Sequence, residues 1–183
     1  DPHFVVLGTI EPRKNHLFLL HMWRELAAEP AGQVPKLFVI GKRGWENESV
    51  VDLLDRSPSL REHVIELTDI SDATMSRLIR SARALLFPSF SEGWGMPLVE
   101  ALSMGVPCIC SDIPVFHEAG QEVPDYAHPL DYFTWKGLVV EYCHADSASR
   151  RSQLDRMAAY QPPEWDEHWG GFEGALASLT SSR

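Results

Sequence analysis

Five short apolar runs punctuate the first two thirds of this chain: "FVVLG" (4–8), "KLFVIG" (36–41), "HVIELT" (63–68), "ALLFP" (84–88) and "PCICS" (107–111). They are continuous rather than alternating. A strand with one wet face alternates apolar and polar residues, whereas continuous runs suit a sheet covered on both faces. Helical spacing appears between them. Leu17, Leu20, Trp23 and Leu26 share a face within 15–29, and Met75, Leu78 and Ile79 share one within 71–82, behind a Ser71 cap. Residues 97–105 carry Pro97 at the first helical position and Gly105 just past the end. A short sixth strand is expected within "DYAHPLD" (125–131), and terminal helices over 131–160 and 164–179, separated by "QPPEW". Alternating strands and helices predict an α/β fold: a doubly wound parallel sheet with helices on both faces, Rossmann-like.

At 183 residues the chain is expected to form one domain with a sizeable core. The longest apolar runs are too short to span a bilayer, and no positively charged, apolar leader opens the sequence, so no secretory signal is expected. The formal net charge of −10 argues against nonspecific nucleic-acid binding, which needs clustered Lys and Arg. Cys108, Cys110 and Cys143 fit neither a zinc knuckle nor a redox pair, and reduced thiols in a cytosolic compartment are expected.

In a sheet of this kind ligands bind beyond the carboxyl ends of the strands, near the point where strand order reverses. The loops leaving the strands read "GTIEPRKN", "GKRGWEN", "TDIS" and "PSFSEGWGMP". The last is the most informative. Gly93 and Gly95 permit close backbone approach, and Met96, Pro97 and Leu98 open a helix whose first amides are unpaired and whose dipole is positive. That is an anion site suited to phosphate, but not a Walker loop, because no Gly-Lys-Ser/Thr follows. Two glutamates bracket it, Glu92 before the turn and Glu100 on the helix, with seven residues between them. A carboxylate at Glu100 suits the two hydroxyls of a ribose, and Glu92 suits a hydroxyl-rich group beyond the phosphate. The bland alternative is that acidic residues simply favour a helix start.

The stretch 85–120 resembles the signature region of retaining glycosyltransferases of the two-Rossmann-domain type, family four. The pattern "P-S-x-x-E-G-x-G-x-P-x-x-E-A" is met by Pro88, Ser89, Glu92, Gly93, Gly95, Pro97, Glu100 and Ala101, and "G-x-P-V-x-x-S" by Gly105, Pro107 and Ser111, with Cys108 at the valine place. "VLGTIEPRKNH" (6–16) resembles the family's phosphate-binding first loop, and 162–176 its closing segment. The resemblance implies Glu92 near the donor sugar, Glu100 on the ribose hydroxyls and Lys14 on the diphosphate. Many members carry an arginine five residues before that lysine, where this chain has Thr9; Arg13 is the substitute candidate. Glu92, Lys14 and Arg13 thus form the expected catalytic set. Gly8, Thr9, Lys42, Thr68, Gly93, Trp94, Gly95, Met96, Pro97, Leu98 and Glu100 form the expected donor-binding set.

Transfer separates the anomeric carbon from the diphosphate, and negative charge grows on the leaving phosphate. Lys14, Arg13 and the amides around Gly95 to Leu98 would stabilise it. No Asp-x-Asp pair follows a strand, so neither a metal nor another cofactor is expected. The substrate implied is a nucleotide-diphosphate sugar, with a GDP-mannose-type donor favoured by the "EPRKN" variant of the loop. The resemblance covers the carboxyl-terminal, donor-binding half of a two-domain enzyme. A glycan or lipid-linked acceptor would be held by the amino-terminal domain, expected outside this chain. The fragment alone is expected to bind nucleotide weakly and to be inactive in transfer. Cytoplasmic location follows for the full-length enzyme, at the inner face of the membrane if it associates peripherally. Two other classes compete: a noncatalytic nucleotide-binding or scaffold module, and a nucleotide-sugar epimerase relative. A nicotinamide enzyme is disfavoured, since no G-x-G-x-x-G opens the first helix. His117 with Glu118 resembles an acid–base pair only superficially. Trp23, Trp165 and Trp169 are expected in packing rather than sugar stacking.

Overall fold

The computed structural model describes residues 2–29 and 34–162. Six strands are formed: β1 (His3–Leu7), β2 (Lys36–Ile40), β3 (Val64–Leu67), β4 (Ala84–Phe87), β5 (Cys108–Ser111) and β6 (Asp125–Ala127). All pair in parallel, in the order β3-β2-β1-β4-β5-β6. The reversal lies between β1 and β4, registered by Phe4 against Ala84 and Val5 against Leu85. The expected doubly wound α/β sheet is therefore present, with its strands within a residue or so of the apolar runs.

Strand residues alternate between two cores, as a side-chain period of two requires. Phe4, Val6, Leu37, Val39, Leu86 and Ile109 face one layer, built on α1 (His16–Ala28), α2 (Glu48–Arg56) and α6 (Tyr132–Cys143). Val5, Ile40, Leu85, Phe87, Cys108 and Cys110 face the other, built on α3 (Asp72–Ser81), α4 (Met96–Ser103) and α5 (Pro114–Gly120). Both faces are dry, which explains why the strands read as unbroken apolar runs. Trp23 is buried in the first layer, its indole N–H donating to the Pro35 carbonyl at 2.8 Å. Trp165 and Trp169 lie outside the described residues.

The helix ends follow local chemistry. The Ser71 hydroxyl accepts the Thr74 amide at 3.3 Å, so the expected cap of α3 is made. Gly105 follows α4 with φ 78°, a left-handed conformation that glycine adopts without strain. The helix expected over 131–160 is instead two, α6 and α7 (Ala148–Met157). Each has its own cap: Asp131 accepts the Thr134 amide at 3.2 Å and Ser147 the Arg150 amide at 3.0 Å. Ser147 also donates to Glu141 Oε2, which closes the corner between them. The second expected terminal helix, 164–179, lies outside the described residues. Helices α2 and α5 carry no prior expectation. Helix α2 turns Val50, Leu53 and Leu54 toward the first layer at helical spacing, a signal that sequence reasoning passed over, whereas α5, with seven residues, is too short to show a full pattern.

Alpha7 is fastened by one buried amide. Gln153 accepts from the Cys108 amide at 2.5 Å and donates to the Cys108 carbonyl at 3.0 Å and the Tyr142 hydroxyl at 2.8 Å. Burial pushes the Cys108 and Cys110 thiols well above their ordinary range, so both are protonated packing groups.

Candidate functional site

The loop after β1 turns at Gly8, whose φ of 137° excludes most other residues. Crowding confirms the requirement: a Cβ here would lie 3.2 Å from Lys14 Cε. The Lys14 stem therefore lies flat on the Gly8 backbone. The chain then bridges to the loop after β2. Ile10 donates to the Lys42 carbonyl at 2.8 Å and Gly44 to the Ile10 carbonyl at 3.0 Å. A Cβ on Gly41 would stand 2.1 Å from the Gly8 carbonyl oxygen, so the two loops touch backbone to backbone.

A single 3-10 turn, Pro12–Lys14, then presents two cations before Asn15 reverses into the left-handed region with φ 56°. Asn15 is buried, and its side-chain amide donates to the carbonyls of Pro88 at 3.2 Å and Pro129 at 3.0 Å. The Phe90 amide returns a bond to the Arg13 carbonyl at 2.8 Å. One side chain thus ties together the loops leaving β1, β4 and β6.

The result is a compact ionic cluster across the switch point. Lys14 Nζ donates to Glu92 Oε1 at 2.6 Å, and Arg13 donates to Glu92 Oε2 at 2.7 Å and to the Ser91 carbonyl at 3.2 Å. Ser89 Oγ, fully buried, donates to Glu92 Oε1 at 2.7 Å. Arg13 Nε also lies 2.6 Å from Glu11 Oε1. The Lys14 ammonium sits over the Phe87 ring, 5.1 Å from its centroid. Burial raises the Glu92 pKa, and hydrogen bonds from Lys14, Ser89 and Arg13 outweigh that, holding it below the usual glutamate value. Glu92 is a carboxylate at neutral pH.

The glycine turn approaches the same place from the other side. Gly95 caps α4 with φ 97°, and a Cβ there would lie 3.1 Å from Phe116 Cε1. Phe116 packs at a tilt of 32° against Phe87 with centroids 4.7 Å apart, so the Lys14 ammonium and the Gly95 turn rest on one aromatic pair. Gly93 has no heavy atom within 4 Å of its Cβ position and faces open space. Met96 is exposed, Pro97 occupies the first turn and Leu98 is buried beneath it. Trp94 is half-buried against the second core layer. Glu100 is exposed on α4, about one turn beyond Met96.

The remaining expected residues sit on neighbouring loops. Thr9 does not leave a gap where a second cation is often found; its methyl group packs where a Gly44 Cβ would otherwise be, 2.7 Å away. Lys42 and Thr68 are exposed and, with Arg43, Glu66 and Asp69, line an open depression of about 450 Å³. Lys42 Nζ lies 3.3 Å from Asp69. Arg43 is committed elsewhere: it donates to both oxygens of Asp55, at 2.6 and 3.1 Å, and of Glu66, at 2.7 and 2.8 Å. His117 pairs with Asp112 at 2.7 Å and stacks on Tyr126. Among the described residues no group of three or more His, Cys, Asp or Glu side chains is placed to hold a metal ion, and no helix is long and apolar enough to cross a membrane.

Sequence reasoning missed Glu11, Asn15 and Ser89 as members of the site. Each is buried in the structure; the signal in the sequence was position, since Glu11 and Asn15 flank Arg13 and Lys14 in the first loop and Ser89 lies in the signature pattern three residues before Glu92.

Comparison with known proteins gives a consistent result. The family described as "Glycosyl transferases group 1" matches residues 1–124. The chain is 42% identical over 121 residues to a serotype-specific mannosyltransferase WbdA of Escherichia coli, covering 66% of this chain and 15% of that protein. It is 34% identical over 161 residues to O-antigen chain mannosyltransferase B of Escherichia coli, covering 87% of this chain and 42% of that protein. It is 31% identical over 145 residues to O-antigen chain mannosyltransferase RfbU of Salmonella typhimurium, covering 76% and 38%. Among solved structures, sucrose-phosphate synthase from Thermosynechococcus elongatus superposes with a TM-score of 0.73 over 100% of this chain and 46% of that one, at 18% identity, which establishes likeness of fold. The matched stretches therefore span from 15% to 46% of the length of these proteins.

Proposed function

The chain belongs to the group 1 glycosyl transferases, and on that premise we propose that it is the donor-binding domain of a retaining enzyme of polysaccharide synthesis. The donor is a nucleotide-diphosphate sugar of the GDP-mannose type, a choice supported by the three mannosyltransferase relatives. The acceptor is a glycan or lipid-linked saccharide, held by a second domain beyond this chain. The full-length enzyme works in the cytoplasm, at the inner face of the membrane where the acceptor is lipid-linked.

One observation carries this reading. Lys14, from the loop after β1, and Glu92, from the loop after β4, meet at 2.6 Å at the strand-order reversal. That is where ligands of doubly wound sheets bind. The diphosphate lies between the Lys14–Arg13 pair and the amino terminus of α4, where Pro97 has no N–H, Leu98 donates to the Gly95 carbonyl at 2.9 Å, and the amides of Gly95 and Met96 are the ones left to meet an anion. Glu100 accepts the ribose hydroxyls. The base enters the depression bounded by Lys42, Thr68 and Asp69. Glu92 faces the sugar. As the glycosidic bond breaks, charge accumulating on the leaving phosphate is met by two cations and a helix dipole, already oriented before reaction. No metal or other cofactor is part of this scheme.

Titration of GDP, UDP and ADP against the domain and against Lys14→Ala and Glu100→Ala tests it. Diphosphate binding is expected, weakened by both substitutions. Equal binding by all three proteins would remove the proposed pocket. Joining the domain to its upstream half and assaying mannose transfer then separates an enzyme from a binding module.

A further inference from the structure

The cation pair is not vacant in this fold. Each oxygen of Glu92 carries one cation, Oε1 that of Lys14 at 2.6 Å and Oε2 that of Arg13 at 2.7 Å. Glu11 adds a second carboxylate, 2.6 Å from Arg13 Nε. Two cations therefore face two carboxylates, and the cluster is formally neutral. It is also dry: the side chains of Lys14, Glu92 and Glu11 are 10%, 7% and 2% exposed, and only Arg13 reaches solvent, at 43%. A site for a diphosphate is expected to be electropositive. This one has been neutralised from within, by a residue on the loop that leads into the glycine turn.

A diphosphate that contacts Lys14 and Arg13 can use N–H donors that Glu92 leaves over, but it must share with Glu92 the charge of the same two cations, and it brings at least two negative charges to within a few ångströms of that carboxylate. Resting on the diphosphate reading above, we propose that Glu92 is a resident anion that competes with the ligand for Lys14 and Arg13, and thereby sets the preference of the site for nucleotide-sugar donor over nucleoside diphosphate product. The reason is charge. The donor's diphosphate is esterified at both ends and carries two negative charges. The product has lost one ester and carries nearly three at neutral pH. Glu92 repels the product by one further charge. At about 6 Å and an effective dielectric of roughly 40, between bulk water and a protein surface, one charge alters affinity about tenfold. Donor binding displaces the carboxylate from the cations toward the sugar. Product, which has no sugar to receive it, pays the repulsion and leaves. Ser89, whose buried hydroxyl fixes Oε1, holds the competitor in place.

The test is calorimetric titration of GDP and GDP-mannose against the unsubstituted chain, Glu92→Gln and Ser89→Ala. Glu92→Gln is expected to tighten GDP more than GDP-mannose, so that the preference shifts about tenfold toward product. Ser89→Ala is expected to shift it the same way by less. A residue that merely contacts the ligand would show the opposite sign. Unchanged or weaker GDP binding by Glu92→Gln, or equal tightening of both ligands, overturns the proposal while leaving the diphosphate site intact. Absence of GDP binding by all three proteins overturns the diphosphate reading itself, and the proposal with it. If Glu92→Gln does not fold, Ser89→Ala decides: tighter GDP supports the proposal, and unchanged or weaker GDP overturns it.

Discussion

His16 opens α1, one residue after the left-handed Asn15 and two after Lys14. It is 2% exposed, and neither ring nitrogen meets a hydrogen-bond partner among the described residues. Burial, and then the positive charge of Lys14, push its pKa from 6.5 down to about 4. The folded value lies below the unfolded one, so the unfolded chain takes up a proton first as pH falls. Stability contributed by the neutral ring is whole above 6.5, declines below it, is mostly gone at about pH 4 and is fully lost below that, where both states are protonated. A fall from 6.5 to about 4, at about 1.4 kcal/mol per pH unit, corresponds to about 3 kcal/mol. His16→Leu removes the titration and leaves no unpaired ring nitrogen, so at pH 7 the variant should match or exceed the parent chain. Urea unfolding of both proteins at pH 7 and pH 4 measures the effect. The parent is expected to lose about 3 kcal/mol more than the variant across that interval; carboxylates that titrate in both proteins cancel in the difference. Equal losses would refute the reasoning, because they would mean that the ring takes its proton as easily in the fold as out of it. A proton resonance of the His16 ring that titrates near 6.5 would say the same thing directly.

Lys14→Met keeps the length of the side chain and deletes the charge, leaving Glu92 with Arg13 and Ser89. The expected cost at pH 7 is about 2 kcal/mol, less than for a fully stripped buried pair because those two partners remain. Since the Glu92 pKa is held below 4.5 in the fold, its contribution is present above that value and lost as pH falls through the folded one. The deficit of Lys14→Met should therefore shrink at pH 3, and a deficit of equal size at both pH values would assign it to packing over Phe87 instead. Gly41→Ala sets a Cβ 2.1 Å from the Gly8 carbonyl oxygen, with backbone on both sides and no flexible chain end to yield. A loss of about 2–3 kcal/mol in urea unfolding is expected, with weaker GDP binding because the Gly8 turn carries Lys14; a neutral result would show that the two loops separate freely.

The fold was legible because both faces of the sheet are buried. That condition turned the central strands β1, β2, β4 and β5 into nearly unbroken apolar runs and exposed the alternation with helices, whereas the edge strands β3 and β6 carry Glu66 and Asp125. What remained hidden was short. Alpha2 is a nine-residue helix whose core-facing stripe of Val50, Leu53 and Leu54 was there to be read but passed over, and α5 begins with a proline and ends within two turns. The corner between α6 and α7 was concealed for a different reason. His144 closes α6 and Ser147 starts α7 with neither glycine nor proline between them, so a capping hydroxyl does the work that stronger breakers usually announce. Of the site, the residue types and their loops were readable: Lys14, Arg13, Glu92 and the Gly95 turn all lie where strand-to-helix loops place them. Their pairing was not. Lys14 and Glu92 are far apart in sequence, and only the order of strands makes their loops adjacent.

That order also explains why the cluster is both tight and dry. The loops after β1 and β4 diverge toward opposite faces of the sheet, which opens a crevice at their shared edge. An open crevice would hydrate Lys14 and spread its charge into water. Here the crevice floor is aromatic, Phe87 beneath the ammonium and Phe116 beneath the Gly95 turn. One wall is bare backbone at Gly8, pressed against the lysine stem. Water is excluded from the floor and from one wall, and an unpaired ammonium in such a place would be costly. An anion must therefore be present whether or not a ligand is bound. Glu92 supplies it in the free protein, pinned by Ser89 and reached by a loop that Asn15 holds to Pro88. The same desolvation that strengthens a bound diphosphate's contact with Lys14 makes a built-in counter-anion necessary, and so makes competition between the two a consequence of the fold rather than an addition to it.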